Sequence, residues 1–263
     1  MNLGLDNKIA LVTAASQGLG KASAMALAQE GATVVICSRR RKEITETAKE
    51  IHDATGATIV PMVADVSQGE DIKRLALETK QQFGTVHILV NNAGGPPTGT
   101  IVSLTDDDWS RGHDVTLMSM VRLTREVLPW MIAQHWGRII TITSIAAKQP
   151  INELLLSSAI RPGILGLTKV LANLHAKDNI TVNTVCPGNI LTRRQEELSA
   201  SRAKQKNMTL EEYLKETAGA IPAGRLGRPE EIGNTVAFLA SEQASYINGV
   251  NLLVDGSAAK GIH

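Results

Sequence analysis

The stretch Lys8-Ile9-Ala10-Leu11-Val12-Thr13-Ala14-Ala15-Ser16-Gln17-Gly18-Leu19-Gly20, continued by a small-residue run at 22–28, decides how this chain reads. Residues 9–13 are apolar and partly β-branched, too short for a helix and therefore a buried strand. The run empties into a tight turn with Gly18 and Gly20, then into an Ala/Met/Leu helix at 3.6-residue spacing. Such a unit leaves backbone N–H groups unpartnered at the helix start and aims the positive end of the helix dipole at them. It suits a phosphate or diphosphate. The spacing departs from the G-x-G-x-x-G dinucleotide fingerprint, and a plain tight bend would use the same glycines. The rest of the chain has to decide.

Outward from that unit the pattern repeats. Apolar runs at 33–37, 58–63, 86–90, 138–143, 180–185 and 250–254 read as further strands. Between them lie helical stretches to about residue 54, at 69–83, at 152–176 and at 229–241. Residues 106–134 read as one long helix interrupted near Pro129, and the 152–176 helix contains an awkward Pro162-Gly163. Residues 191–227 are polar and helical, with a capping box at Thr209-x-x-Glu212. Strands alternating with helices predict an α/β fold: one domain over 1–263, a doubly wound sheet of seven mainly parallel strands flanked by helices. Residues 191–227 would form a lid on the substrate side.

Composition narrows the class. Hydrophobic residues make up 43% and aromatics 3%, so aliphatic side chains fill the core. A formal charge of +1 predicts no nucleic-acid partner and no anionic membrane surface. No run approaches a membrane span and no basic-then-apolar leader opens the chain, so a cytoplasmic protein is expected. Cys37 and Cys186 show neither framework nor ligand spacing, and the six histidines are scattered, so no metal is expected. The cysteines end two strands far apart in the sheet order, so no disulfide joins them. Trp109, Trp130 and Trp136 read as packing or subunit contacts.

Ligands of doubly wound sheets gather at the carboxyl ends of the strands, near the switch in strand order. There the chain places the Ser16-Gln17-Gly18-Leu19-Gly20 turn, Ser38-Arg39-Arg40, Asp65-Val66, Asn92-Ala93-Gly94, Ser144 and Pro187-Gly188. Arg39 to Lys42 open a helix whose dipole disfavours positive charge by a few tenths to about 1 kcal/mol each. An anion would offset that; a solvated basic helix start is the plain alternative. NAD-binding sheets usually carry an acidic residue here for the ribose 2′-hydroxyl, whereas arginine suits the 2′-phosphate of NADP. NADP is expected, with NAD the lesser alternative. Asp65 fits an acceptor for the adenine amino group and equally an ordinary turn residue.

Together these residues resemble the short-chain dehydrogenase/reductase family over essentially the whole chain. Thr13-Ala14-Ala15-Ser16-Gln17-Gly18-Leu19-Gly20 is similar to its T-G-x-x-x-G-x-G turn, with Ala14 at the first glycine, and Asn91-Asn92-Ala93-Gly94 is its N-N-A-G. Pro187-Gly188-Asn189-Ile190-Leu191-Thr192 looks like its nicotinamide-side segment, so Pro187, Gly188, Ile190 and Thr192 join the cofactor residues. Arg225-Leu226-Gly227-Arg228-Pro229-Glu230-Glu231-Ile232 and Val254-Asp255-Gly256 match its C-terminal pattern. The resemblance implies a Rossmann-type fold and, through the 3-oxoacyl-[acyl-carrier-protein] reductases, a carbonyl or acyl thioester substrate. It also implies a homotetramer built on the 106 helix, the 152 helix and the last strand.

The family's catalytic Asn, Ser, Tyr and Lys are matched only in part. Ser144 falls at the serine; Ser157, Arg161 and Thr116 fall where Tyr, Lys and Asn are expected, and the only tyrosines are Tyr213 and Tyr246. A branch described as 3-oxoacyl reductase-like carries the same S-x-x-x-R, which marks Ser157 and Arg161 as an alternative site. A tyrosine can be tuned toward neutral pH as a general acid; a serine is a poor substitute, and arginine keeps its proton. Arg161 can still hold ribose hydroxyls and stabilise an alkoxide. Pro162 should cost roughly 3 kcal/mol unless the helix bends, which predicts a distortion at 158–161. On the lid, Arg193, Arg194, Arg202, Lys204 and Lys206 would attract a phosphopantetheine or acidic substrate, or simply face solvent, while Met208, Leu210 and Tyr213 pack it down. Two readings remain: an NADP-dependent oxidoreductase with an atypical site, or an NADP-binding sensor or inactive oligomer partner.

Overall fold

Each apolar run forms a strand in the computed structural model, which describes residues 2–261. The strands are β1 Ile9–Val12, β2 Thr33–Ser38, β3 Ile59–Val63, β4 Ile88–Asn91, β5 Gly137–Ile142, β6 Ile180–Pro187 and β7 Asn251–Val254. They form one sheet in the order β3-β2-β1-β4-β5-β6-β7, every pair parallel. The order reverses between β1 and β4, and that switch opens a crevice above their carboxyl ends. The α-helices among the described residues are α1 Gly18–Gln29, α2 Arg41–Thr55, α3 Gly69–Phe83, α4 Asp106–His113, α5 Ser119–Ala133, α6 Leu155–His175, α7 Arg193–Gln205, α8 Leu210–Gly219 and α9 Pro229–Ala240.

Alternation along the strands builds a core on each face. Ala10, Val12, Val34, Ile36, Ile88 and Val90 pack with Leu27 of α1, Ile44 of α2 and Val236 of α9. Their neighbours Leu11, Val35, Cys37 and Leu89 point the other way, toward Leu75 of α3, Val127 of α5 and Ala172 of α6. Period-two alternation thus feeds both layers from one apolar run. Helices α1 and α9 lie against each other so closely that a Cβ on Gly233 would sit 2.4 Å from the carbonyl oxygen of Ala22. Only glycine fits there.

Three expectations need correction. The helical run from 106 to 133 is irregular at a π-turn, Asp114–Met118, and continues unbroken through Pro129. That proline faces solvent, so water can serve the carbonyl left without its N–H partner. For the same reason α6 shows no break at 158–161: Pro162 is exposed, and the helix runs through it continuously. Finally, the helical stretch Asn152–Asp178 is long and apolar enough to cross a membrane, with a mean hydropathy of 1.4. Leu156, Ile164 and Ala172 bury one side of α6, whereas Val170 and Leu174 stand in solvent on the other, 54% and 58% exposed.

The remaining landmarks are local. Trp136 packs inside the molecule, donating to Glu242 at 2.6 Å beneath the buried Arg138, and Lys80 lies over Trp130. In the 191–227 segment Thr209 and Glu212 form the expected capping box at α8. Met208 and Tyr213 are half-buried, but Leu210 is exposed and does not pin the segment down. Both cysteines are free and buried.

Candidate active site

The turns after β1 and β4 are stitched together by side chains. Asn92 donates through Nδ2 to the carbonyls of Thr13 and Ala14, both at 3.2 Å, and its backbone N–H donates to the Thr13 hydroxyl at 3.0 Å. The Thr13 hydroxyl in turn donates to the Asn92 carbonyl at 2.6 Å. Thr47 of α2 donates to the carbonyl of Ser16 from behind. A Cβ on Gly20 would lie 2.6 Å from the Ala14 carbonyl oxygen and 2.7 Å from Asn92 Nδ2, so the packing requires glycine. Ala14 itself sits at φ +48°, a left-handed conformation that costs an alanine roughly 1–2 kcal/mol. Gln17 caps α1 with no side-chain hydrogen bond, and no acidic residue occupies the first turn. The helix therefore presents open N–H groups to the crevice.

That crevice has a volume of about 760 Å³, within the range of small-molecule and cofactor sites. Ser16, Gln17, Gly18 and Leu19 line it at one strand end; Ser38, Arg39 and Arg40 at the next; then Asp65 and Val66, Asn92, Ala93 and Gly94, and Thr192. Gly20, Pro187, Gly188 and Ile190, expected among the cofactor residues, do not line it. Gly188 donates to the Val254 carbonyl, and Leu191 to that of Gly227, which hold the chain so that Thr192 faces Gly18. Asp65 is a turn residue as well as a wall residue, since its Oδ1 accepts from the Ser67 N–H and hydroxyl. Its own N–H donates to Asp71, whose carboxyl is held below the usual range by that N–H and by Arg74.

The four candidate catalytic side chains do not line this large crevice. Ser144 follows β5, and its Oγ accepts from the Ala146 N–H at 3.1 Å, which leaves its own proton free to donate. On α6, Arg161 Nε donates to Ser157 Oγ at 3.0 Å, an i,i+4 contact with both residues buried. Arg161 and Thr116 share a small cavity of about 10 Å³ with Asn91 and Thr13, and there the Thr116 hydroxyl and Asn91 Oδ1 have no partner among the described residues. Burial, and then the charge of Arg194, lower Arg161 to about 10, so it stays a cation at neutral pH. Cys186 lies beside it, pushed up by burial, with the Thr143 hydroxyl 3.1 Å away opposing that shift. No group of acidic, histidine or cysteine side chains suited to a metal occurs among the described residues.

Several wall residues went unmarked by sequence reasoning. Ser67 and Gln68 extend the Asp65 turn, while Arg111, Asp114 and Val115 face the crevice from one side of the 106–133 helix. Their three- and four-residue spacing was the available signal. Gly95 and Pro97 continue the wall past the Asn92 turn.

Comparison with known proteins follows the geometry. Residues 13–258 match the family model described as enoyl-(acyl carrier protein) reductase. The chain is 38% identical to an uncharacterised oxidoreductase of Bacillus subtilis, each covered in full. It is 34% identical to the 3-oxoacyl-[acyl-carrier-protein] reductase of Thermotoga maritima, covering 96% of this chain and 98% of that one. Among solved structures, L-sorbose reductase of Gluconobacter frateurii, complexed with NADPH and L-sorbose, superimposes with a TM-score of 0.95 at 33% identity, both chains covered in full.

Proposed function

Because the chain belongs to the short-chain dehydrogenase/reductase family, we propose that it is an NADP-dependent oxidoreductase that reduces a carbonyl, possible substrates including 3-oxoacyl thioesters, or oxidises the matching alcohol. One observation carries the choice of cofactor: Arg39 lies on the crevice wall and forms no ion pair among the described residues, whereas Arg40 is paired with Glu43 at 2.5 Å. A free guanidinium beside the Ser38 turn is the complement of a ribose 2′-phosphate. The open N–H groups of α1 and the glycine-tight packing at Gly20 fit the diphosphate of the same molecule.

Bound there, NADPH would supply hydride to the substrate carbon; the chain's own residues would handle oxygen and proton. Ser144, with its proton unspent, would donate to the carbonyl oxygen. Arg161, charged and buried, would hold the ribose hydroxyls and stabilise negative charge on that oxygen. Ser157 accepts from Arg161, so its own proton is free to pass to the substrate, directly or through water. Ser157, Arg161 and Thr116 here stand in for the Tyr, Lys and Asn of relatives. The segment 191–227 would cover the substrate, and the exposed Val170, Leu174 and Leu252 are compatible with a homotetramer built on the 106 helix, α6 and β7; a cytoplasmic location belongs to the same proposal.

A second reading rests on a specific observation: Ser144 and Ser157 lie off the crevice wall, which favours a protein that binds NADP without transferring hydride. Purified protein should be tested with NADPH against a carbonyl panel including acetoacetyl thioesters, beside a calorimetric titration. Tight binding without NADPH consumption across the panel selects the second reading. Absence of binding to either nucleotide overturns both.

A further inference from the structure

The proposed chemistry draws on two serine hydroxyls carried by different elements: Ser144 just after β5 and Ser157 in the first turn of α6. Residues 145–156 join them, and that connection has to be held still if both hydroxyls are to meet one substrate oxygen. Its first half is a compact turn. The Ala147 N–H donates to the Ser144 carbonyl at 3.0 Å, and the N–H groups of Lys148 and Gln149 both donate to the Ile145 carbonyl at 2.9 Å. The turn packs against α6.

The second half is fastened differently. Leu154 stands at the N-cap of α6 and has no side-chain oxygen with which to hold the helix start. Ser158, one residue beyond Ser157, reaches back instead. Its hydroxyl accepts from the Ile151 N–H at 3.0 Å and donates to the Ile151 carbonyl at 3.3 Å, so one side chain engages both backbone polar groups of one residue. The same carbonyl accepts from the Leu154 N–H at 2.9 Å. Between the halves, Gln149 Oε1 accepts from the Lys260 N–H at 2.8 Å, which braces the joint from beyond β7. The connection is thereby reduced to two tied turns, and Ser158 ties the second one to the helix that carries Ser157.

We propose that Ser158 is a positioning residue for the proton-handling pair: by holding Ile151 against α6 it fixes the backbone between Ser144 and Ser157, and with it the place both hydroxyls take at the substrate oxygen. This rests on the oxidoreductase reading. Ser158 is no second acid, because its proton is committed to the Ile151 carbonyl. Its substitution by alanine removes the fastening without threatening the helix, since alanine has the higher helix propensity. Threonine keeps the hydroxyl.

Ser158→Ala and Ser158→Thr should be compared with the parent in two measurements. Hydrogen exchange, followed by mass spectrometry on the NADP⁺-loaded full chain, reports the fastening. Amides in 149–154 should exchange at least about tenfold faster in Ser158→Ala and close to the parent rate in Ser158→Thr. Steady-state kinetics with NADPH and the panel carbonyl that the parent reduces fastest report the consequence. In Ser158→Ala, kcat should fall about 10- to 100-fold with KM for NADPH within about twofold of the parent, and Ser158→Thr should recover most of the loss. Unchanged exchange in Ser158→Ala overturns the inference. So does faster exchange with unchanged kcat, since the hydroxyl then serves the fold alone and the oxidoreductase reading still stands. Equal losses in kcat and in NADPH affinity overturn it too, because they mark a damaged cofactor site. A parent that shows the exchange difference yet reduces nothing on the panel sinks the oxidoreductase reading, and the positioning role falls with it.

Discussion

Replacing Arg161 by methionine should make the ligand-free protein more stable. The Arg161 side chain is buried, and its pKa is lowered from the ordinary arginine range to about 10, first by loss of hydration and then by the charge of Arg194. At about 1.4 kcal/mol per pKa unit, the fold holds roughly 3 kcal/mol against the charged form. Methionine keeps much of the chain length and loses the hydrogen bond to Ser157, worth about 1 kcal/mol. The net gain is roughly 2 kcal/mol, or about 4–8 °C in Tm for a domain of this size. The pH dependence gives an independent check. Arg161 is more easily deprotonated folded than unfolded, so its penalty is fully present below pH 10 and is relieved as pH rises above about 10 toward the ordinary arginine range. The Tm gap between Arg161→Met and the parent should therefore narrow above pH 9.5, measured by scanning calorimetry or circular dichroism without ligand. A lower Tm in the variant, or a gap that does not change with pH, refutes the claim that this charge is uncompensated.

Four further outcomes follow from the same geometry. Arg39→Asp should weaken NADPH binding roughly 10- to 100-fold, the range for one charge-assisted contact, and shift preference toward NADH; unchanged NADPH affinity would remove the 2′-phosphate assignment. Gly20→Ala places a methyl 2.6 Å from a backbone carbonyl, so it should cost about 1–3 kcal/mol in urea unfolding and abolish nucleotide binding by calorimetry. Ala14→Gly relieves a left-handed alanine at φ +48° and, after the extra entropy of glycine in the unfolded chain, should stabilise by about 0.5–1 kcal/mol. Ser157→Tyr with Arg161→Lys should raise the rate of NADPH-dependent carbonyl reduction; a double variant that binds NADPH but stays silent shows that the missing acid is not the limiting defect.

The sheet was legible because parallel strands are buried on both faces and announce themselves as unbroken apolar runs. Helix α3 was legible to the residue, since Gly69 opens it and Gly84 closes it in a left-handed cap at φ +80°. The irregularity of the 106–133 helix was not. A π-turn inserts one residue without changing which side chains are apolar, so Asp114–Met118 leaves no mark in the pattern, while Pro129 leaves a visible one in a place where solvent tolerates it. At the site, Gly18, Arg39 and Asn92 were legible because backbone conformation and helix-end charge follow local rules. The division between the large crevice and the small cavity holding Thr116 and Arg161 was not, because it depends on where long side chains come to rest.

Broken local rules concentrate where β1, β4 and β5 end. Ala14 is strained, Asn91 Oδ1 and the Thr116 hydroxyl are buried without partners, and Arg161 is buried without a counterion. Buried polar oddities also occur at the opposite end of the sheet, so burial alone does not mark a site. Arg138 is fully buried with Nη2 free of hydrogen bonds, yet it stacks on Trp136, donates to the carbonyls of Gly137, Asn179 and Ser241, and lies 3.5 Å from Glu242. The contrast separates the two ends. Arg138 is compensated by the chain itself, as a structural cation must be. Arg161 has one neutral hydroxyl, a second cation nearby, and no acid to answer either. A fold that supplies a carboxylate, three carbonyl contacts and an indole to one buried arginine and a single serine to another has left the second for something that binds.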